Sequence, residues 1–160
     1  MFLNIYNITT IHYDMKQRVS IISFINKEVL TSKKKPAVLL DSFCLYHGSN
    51  FKGRVSSAQY VLGVKQKAPV MVCLLMNCCF FPTQSIKNDD CVWIQARLVT
   101  KISSVNSTQT KIMFGENNLI EVDIGIRSIK KQLERCKYYY EKVTMPINME
   151  ELDKLLGASK

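Results

Sequence analysis

The segment HGSNFKGR, residues 47–54, combines side chains that bind anions with two glycines. Its flexible, small polar and basic members are Gly48, Gly53, Ser49, Asn50, Lys52 and Arg54. A basic residue in the first turn of a helix opposes the helix dipole, unless an anion is bound there. If a helix begins in this segment, the pattern therefore predicts a phosphate-binding turn. The alternative is a tight turn between two helices, in which Arg54 has an internal partner such as Asp41.

Cysteine and histidine side chains are the next candidates, because they bind metals and act as nucleophiles and bases. They are Cys44, Cys73, Cys78, Cys79, Cys91, Cys136, His12 and His47. Cys44 and His47 come nearest to a metal-ligand spacing, and the conceivable further ligands are Cys78, Cys79 and Cys91. Zinc sites usually combine two regular ligand pairs, and no CxxC pair occurs. We therefore expect small buried thiols and no bound metal.

Catalysis would require a nucleophile beside a base, or two carboxylates that converge in a cleft. His47 lies three residues after Cys44, with Asp41 as the nearest acid that could orient it. Asp89 and Asp90 are adjacent in sequence, so their side chains diverge. We expect a protein without enzymatic activity and without a cofactor.

The distribution of charge indicates a polyanionic partner. The 160-residue chain has a formal net charge of +9 and 47% hydrophobic residues. Between Ser42 and Gly115 the only acids are Asp89 and Asp90. The cations of the same span are Lys52, Arg54, Lys65, Lys67, Lys87, Arg97, Lys101 and Lys111. A folded core with a basic surface suits nucleic acid or an anionic membrane surface.

Length and hydropathy predict one cytoplasmic domain. The longest apolar run, residues 70–81, is too short to span a bilayer and indicates buried strands. The first 14 residues lack the basic leader of a secretory signal. We expect a regulatory domain at residues 1–142, a tail at 143–160 that could be flexible, and no membrane association.

Hydrophobic periodicity predicts an α+β fold with a mostly antiparallel sheet. Strands are expected in the first forty residues, with short extended pieces on both sides of a turn at residues 33–36. Two short helices are expected around residues 41–63, the first capped by Asp41 or Ser42 and the second by Ser49 or Asn50.

The second half of the chain continues this pattern. Residues 91–102 alternate as one strand, and GENN forms the turn of a hairpin in which Ile112 shares a face with Ile120. One amphipathic helix is predicted around residues 126–141, with an apolar stripe at Ile126, Ile129, Leu133, Cys136 and Tyr140. Its basic residues form a solvated face or a face toward a polyanion or a second copy. A short helix could follow Asn148 in the tail.

Four blocks, GSNFKGR, KAPVMV, FFPTQS and CVWI, closely resemble those of the competence transcription factor ComK family. The matching positions are Cys44, Gly48, Ser49, Phe51, Gly53, Arg54, Lys67, Pro69, Phe81, Pro82, Thr83, Ser85, Cys91, Trp93 and Ile94. Asn50 replaces the usual serine, and Ala68 replaces a common proline. The tail after Lys142 is shorter than in the longest members, which bears on oligomerisation and on recognition by a proteolytic adaptor.

The resemblance implies an activator of the genes for DNA uptake and transformation. It implies binding to AT-rich promoter boxes of double-stranded DNA, largely through the minor groove, by a dimer or a pair of dimers that acts on RNA polymerase indirectly. The first candidates for DNA contact are Arg54, Lys52, Ser49 and Asn50, and the second are Lys65, Lys67, Arg97 and Lys101. The motif residues with an expected structural role are Cys44, Gly48, Gly53, Pro69, Phe81, Pro82, Thr83, Cys91 and Trp93.

A nucleic-acid or protein interaction module without sequence-specific activation is the alternative function. Single strands bind to basic surfaces on which bases stack against aromatic rings. Phe51, Tyr60 and the three tyrosines at 138–140 are available for such stacking.

Overall fold

The computed structural model describes residues 3–157, and within them the protein is α+β with antiparallel sheets, as predicted. The strands are β1 Ile8–Asp14, β2 Val19–Phe24, β3 Val29–Ser32, β4 Val70–Cys73, β5 Cys78–Pro82, β6 Val92–Gln95, β7 Lys101–Asn106, β8 Gln109–Met113 and β9 Leu119–Val122. The helices are α1 Pro36–Tyr46, α2 Phe51–Leu62, α3 Ile126–Thr144 and α4 Met149–Leu155.

Six strands form one sheet in the order β3-β2-β1-β6-β5-β4, and three form a second sheet in the order β7-β8-β9. Each pair of neighbouring strands is antiparallel. β6 pairs with β1 across a long sequence separation, with Trp93 opposite Ile11. In the second sheet Ile112 pairs with Ile120, so the predicted hairpin is confirmed.

Both faces of β4, β5 and β6 are covered, which explains their nearly continuous apolar sequences. Side chains on a strand alternate between the two faces of a sheet. One face packs against α1 through Val70, Val72, Phe80 and Trp93. The other packs against α3 and the second sheet through Met71, Cys79, Phe81 and Ile94. The apolar run at residues 70–81 is therefore two buried strands joined by a turn.

Helix α1 begins at Pro36, and the prediction of an extended piece there was wrong. Proline suits the first position of a helix because its fixed φ is helical and its missing N–H needs no partner. The apolar residues that follow bury Leu39 and Leu40 against the sheet. Asp41 and Ser42 lie inside α1 and do not cap it. The prediction that one of them caps this helix was therefore wrong.

The single strand predicted for residues 91–102 is also wrong, because β6 ends at Gln95. A 3₁₀ turn, Ala96–Leu98, follows, and β7 starts the second sheet. The side-chain amide of Gln95 is buried, and its Nε2 donates to the Ile8 carbonyl at 2.7 Å. The alternation seen in the sequence is therefore interrupted where the chain passes from one sheet to the other.

Helix α3 extends to Thr144, slightly beyond its predicted end. Its buried residues are Ile129, Gln132, Cys136 and Tyr139. The predicted stripe is confirmed at Ile129 and Cys136, and its members Leu133 and Tyr140 are half-buried against the same core. Tyr139, which the prediction left out, is buried there as well. The Tyr139 hydroxyl has a partner in the interior, because it forms a 2.6 Å hydrogen bond with the hydroxyl of Ser57 on α2.

The predicted tail helix is confirmed as α4, and Asn148 caps it by accepting from the Glu151 amide at 2.8 Å. Of the helices within residues 3–157, none is both long and apolar enough to cross a bilayer.

Candidate nucleic-acid interface

The turn between α1 and α2 is built by Gly48 and Asn50. Gly48 has a φ of +84°, in the left-handed region that favours glycine, and lets the chain reverse after α1. Asn50 caps α2, because its Oδ1 accepts from the Gly53 amide at 2.6 Å. A Cβ at Gly53 would lie 3.0 Å from that oxygen, so the closeness of the cap favours glycine. The predicted cap at Asn50 is confirmed.

Asp41 supplies a negative charge at the start of α2. Its Oδ1 accepts from the Phe51 amide at 2.8 Å. A carboxylate at a helix N-terminus interacts favourably with the helix dipole. The amides of Phe51 and Gly53 are already bonded within the chain, so they are not free to bind an external phosphate. The negative charge that the sequence pattern predicts at the start of α2 is therefore provided in part by Asp41 of the protein itself.

Arg54 has an internal partner, but the partner is Ser49. The Arg54 Nε donates to the Ser49 Oγ at 2.7 Å. No ion pair between Arg54 and Asp41 forms within the described part of the chain. The two terminal nitrogens of Arg54 have no hydrogen-bond partner among residues 3–157. The side chain is half-buried, so part of its guanidinium can still meet a ligand at the surface.

Buried Cys44 lies close to this turn. Burial raises the pKa of its thiol to about 11, an effect opposed by nearby Arg54 and by the hydrogen bond from Ser49, and reinforced by Asp41. Since the thiolate is the reactive form of cysteine, Cys44 remains a protonated thiol at neutral pH. Cys44 therefore contributes a buried, neutral side chain beneath the turn.

Two adjoining cavities form a basic groove on one side of the molecule. The first, of about 340 Å³, lies between α2 and the loop after β5, and the second, of about 260 Å³, lies between residues 66–67 and α3. They meet at Gln66 and Lys67, which line both. The cations of the basic groove are Lys65, Lys67, Lys87, Lys131 and Arg135. No Asp or Glu from residues 3–157 lines either cavity.

Lys52 lies on the side of α2 that faces the basic groove. Residues three, four and seven apart share one side of a helix, and Val55 and Gln59 of α2 line the first cavity. Lys52 precedes Val55 by three residues and is exposed. The groove therefore extends toward the turn that carries Lys52.

The structure separates the other two predicted cations from the groove. Arg97 donates from Nη2 to the Tyr6 carbonyl at 2.8 Å and lines a different cavity, together with Lys137 and Glu141. Lys101 lies on β7, opposite Met113, in the second sheet. The eight predicted contact residues thus lie on the turn, in the groove and on two further surfaces.

Three groove cations were not among the predicted site residues: Lys87, Lys131 and Arg135. The basic character of α3 was visible in the sequence, but its two sides could not be told apart. Lys87 lies in an exposed loop whose position relative to α2 depends on the sheet.

Most motif residues around this surface are core residues. Pro69, Phe81, Pro82, Thr83, Cys91 and Trp93 are buried. Phe51 packs edge-on against Trp93, with ring centroids 5.9 Å apart. The Thr83 Oγ1 accepts from the Val92 amide at 2.9 Å and joins the end of β5 to β6.

The cysteines and histidines do not converge. In the chain between residues 3 and 157, no three side chains of His, Cys, Asp or Glu form a group that could hold a metal ion. His47 donates from Nδ1 to the Phe43 carbonyl at 2.8 Å, and its Nε2 accepts from the Tyr6 hydroxyl at 3.1 Å, with the tautomer assigned from these partners. Both nitrogens of this imidazole therefore have partners inside the fold.

Together these features define a small basic α+β protein with an acid-free groove suited to a polyanion. The family described as ComK protein matches residues 5–148, and the chain belongs to this family. A competence transcription factor of Bacillus subtilis (strain 168) is 27% identical to it over 104 residues. The alignment covers 65% of this chain and 54% of that protein, so the chain spans about half the length of this relative. No solved structure matches the chain significantly.

Proposed function

We propose that this protein is a DNA-binding transcription activator of competence genes, which serve DNA uptake and transformation. Membership of the ComK family and the similarity to a competence transcription factor support the functional class. The observation that carries the proposal is the acid-free basic groove, with five cations around two adjoining cavities. Cations that neutralise phosphates release condensed counterions, and this release drives association with DNA.

Double-stranded DNA with AT-rich boxes is the proposed target. Runs of A and T narrow the minor groove and deepen its negative potential, which attracts arginine and lysine. Arg54 is our candidate for insertion there, because its terminal nitrogens lack partners within the described residues. Lys52 lies beside it and connects the turn to the basic groove. In this arrangement the groove contacts phosphates and the turn contacts bases, with bending of the duplex as its consequence.

We further propose that the protein acts as a homo-oligomer, a dimer or a pair of dimers. In this proposal residues 1–142 bind DNA, and residues 143–160 form a tail for contacts with other proteins. The support is the exposure of six apolar side chains in and before α4, namely Met145, Ile147, Met149, Leu152, Leu155 and Leu156. Recognition by a proteolytic adaptor, an indirect effect on RNA polymerase and a cytoplasmic location belong to the same proposal.

A binding titration tests the proposed function. Purified protein is titrated at physiological salt with a duplex of phased A and T runs and with a GC-rich duplex of equal length. We expect tighter binding to the AT-rich duplex and loss of this preference in Arg54→Ala, whose fold is checked by circular dichroism. Arg54→Lys is the matched control, since it retains the charge but not the planar guanidinium.

Two outcomes would contradict the proposal. Equal, weak binding of both duplexes would show a nonspecific basic surface and favour an interaction module. Tighter binding of single-stranded nucleic acid than of either duplex would favour base stacking, for which exposed Tyr60 and Tyr138 are available.

A further inference from the structure

We propose that the cavity of about 260 Å³ beside α3, hereafter the α3 cleft, holds a phosphate of the DNA backbone, with Gln132 as the positioning residue for its cations. This inference rests on the proposed DNA-binding function and assigns it to a particular part of the basic groove. The side chains that carry it are Lys67, Thr83, Ser128, Lys131, Gln132 and Arg135.

The α3 cleft presents hydrogen-bond donors, which a phosphate requires. A phosphodiester is negative and its oxygens only accept hydrogen bonds, whereas lysine and arginine side chains only donate. The Thr83 hydroxyl, whose Oγ1 accepts from the Val92 amide, also lines the cleft. Ser128 adds a second hydroxyl. Since no acid of residues 3–157 lines the cleft, no carboxylate there repels an anion.

Gln132 connects two of these cations through one buried amide. Its Nε2 donates to the Lys67 carbonyl at 3.0 Å and to the Pro82 carbonyl at 2.8 Å. Its Oε1 accepts from the Arg135 Nη1 at 3.3 Å. The side chain is buried, so water does not compete with these bonds. Gln132 thereby fixes the backbone that carries Lys67 and orients the guanidinium of Arg135.

The backbone conformation of Lys67 explains why the hydrogen bond from Gln132 is needed. Lys67 has a φ of +54°, a region sparsely populated by residues that have a Cβ. The surrounding structure must hold a residue in this conformation. The hydrogen bond from Gln132 to the Lys67 carbonyl does so directly, and it places the lysine at the junction of the two cavities.

The other sides of α3 lack this arrangement. Lys137 lines a cavity with Glu141, where a carboxylate opposes anion binding. Lys130 is exposed and lines none of the cavities described here. Lys130 and Lys131 are adjacent in sequence, have the same charge and are both exposed, but only Lys131 lines the α3 cleft. They form a matched pair for a test.

The experiment measures how the affinity of the full chain for the AT-rich duplex depends on salt. Each phosphate contact contributes about 0.9 to the slope of log affinity against log salt concentration. We expect Lys131→Ala and Arg135→Ala each to lower the steepness of this slope by about 0.9, and Lys130→Ala to leave it nearly unchanged. Equal effects of Lys130→Ala and Lys131→Ala would overturn the assignment of the cleft.

Gln132→Met tests the positioning role, because methionine has a similar shape and cannot form the three hydrogen bonds. We expect several-fold weaker binding and a shallower salt slope, at a temperature where circular dichroism shows the native fold. A purely structural role would lower the melting temperature without changing the slope. A wild-type slope in Gln132→Met would therefore overturn the positioning role.

A titration with inorganic phosphate distinguishes the two possible ligands of the cleft, a phosphate of the DNA backbone and a free anion. If phosphate alone binds through Lys131 while DNA binding is indifferent to Lys131→Ala, the cleft serves a free anion and the inference fails. If the wild-type chain prefers AT-rich duplex but all cleft variants behave like Lys130→Ala, the inference fails and the proposed function stands. If the wild-type chain does not bind duplex DNA, both fail.

Discussion

Asp41 and Asn50 determine how the amides at the start of α2 are used. Asp41 binds the Phe51 amide, and Asn50 binds the Gly53 amide. Asn50 belongs to the motif and was predicted to cap α2, whereas Asp41 lies six residues before the motif, so its bond to the Phe51 amide could not be read from the motif. The structure shows that acid and amide bond inward, while Lys52 stays exposed. The charge available to a ligand at this turn therefore comes from Lys52 and Arg54.

His12 provides a prediction about pH. Its imidazole is half-buried on β1, and burial lowers its pKa below the ordinary value of 6.5, while Asp14 opposes this shift. Below pH 6.5 the unfolded chain therefore binds more protons at this position than the native chain does. We expect the free energy of unfolding to fall as the pH drops from 6.5 toward the lowered native pKa. Above pH 6.5 the imidazole is mostly neutral in both the native and the unfolded chain, so this loss of stability is absent.

Urea unfolding above and below pH 6.5 measures the effect, with His12→Gln as the comparison. Glutamine does not titrate, so the variant should lose less stability on acidification than the wild-type protein. The same pH dependence in both proteins would contradict the assignment to His12.

At the scale of elements, the reversal between α1 and α2 depends on Gly48. A Cβ at this residue would meet no atom within 4 Å, so a substitution there has only a backbone cost. Since its φ is +84°, we expect Gly48→Ala to lower the free energy of unfolding by about 1 kcal/mol. Chemical denaturation measures this, and Gly48→Asn should cost less because asparagine tolerates the left-handed region. Equal stability of Gly48→Ala and wild type would show that the turn can adopt another conformation.

Helix α3 is the element that joins the core to the candidate site. Ile129 and Cys136 pack on the sheet, and Gln132 lies between them on the same buried side. A buried glutamine interrupts an apolar stripe, and periodicity alone gives no reason for it. Its reason is tertiary, because the carbonyls of Lys67 and Pro82 come within its reach.

At the scale of the whole molecule, the packing of the helices on the covered strands buries all six cysteines. Burial raises the pKa of Cys44 to about 11 and that of Cys78 to about 12. The thiolate is the reactive form, so we expect native protein to react slowly with iodoacetamide near neutral pH. In urea the labelling should become fast and complete as the protein unfolds.

Mass spectrometry of labelled protein counts the modified thiols. Labelling should follow the unfolding transition measured by circular dichroism. A cysteine that is alkylated rapidly in the native protein would show that the core around that residue is open to solvent.

Much of the fold was predictable because its signals are local. Alternating apolar residues predicted the hairpin of β8 and β9, a capping residue predicted the start of α2 at Asn50, and a short helix was expected after Asn148. The errors arose where local signals compete. The lysine run before Pro36 indicates a turn, yet Pro36 also begins a helix whose Leu39 and Leu40 reach the core.

The sequence by itself determined the α+β class, the basic middle of the chain, the capped turn before α2 and the ComK family motifs, since each depends on neighbouring residues. Only the tertiary structure decided which cations share a surface. Gln66 and Lys67 meet α3 because the following strand, β4, pairs with β5, and α3, far away in sequence, packs across β5. The same packing puts Arg97 and Lys101 elsewhere. Charge is a property of single residues, whereas a binding surface depends on how the strands pair and how the helices pack on them.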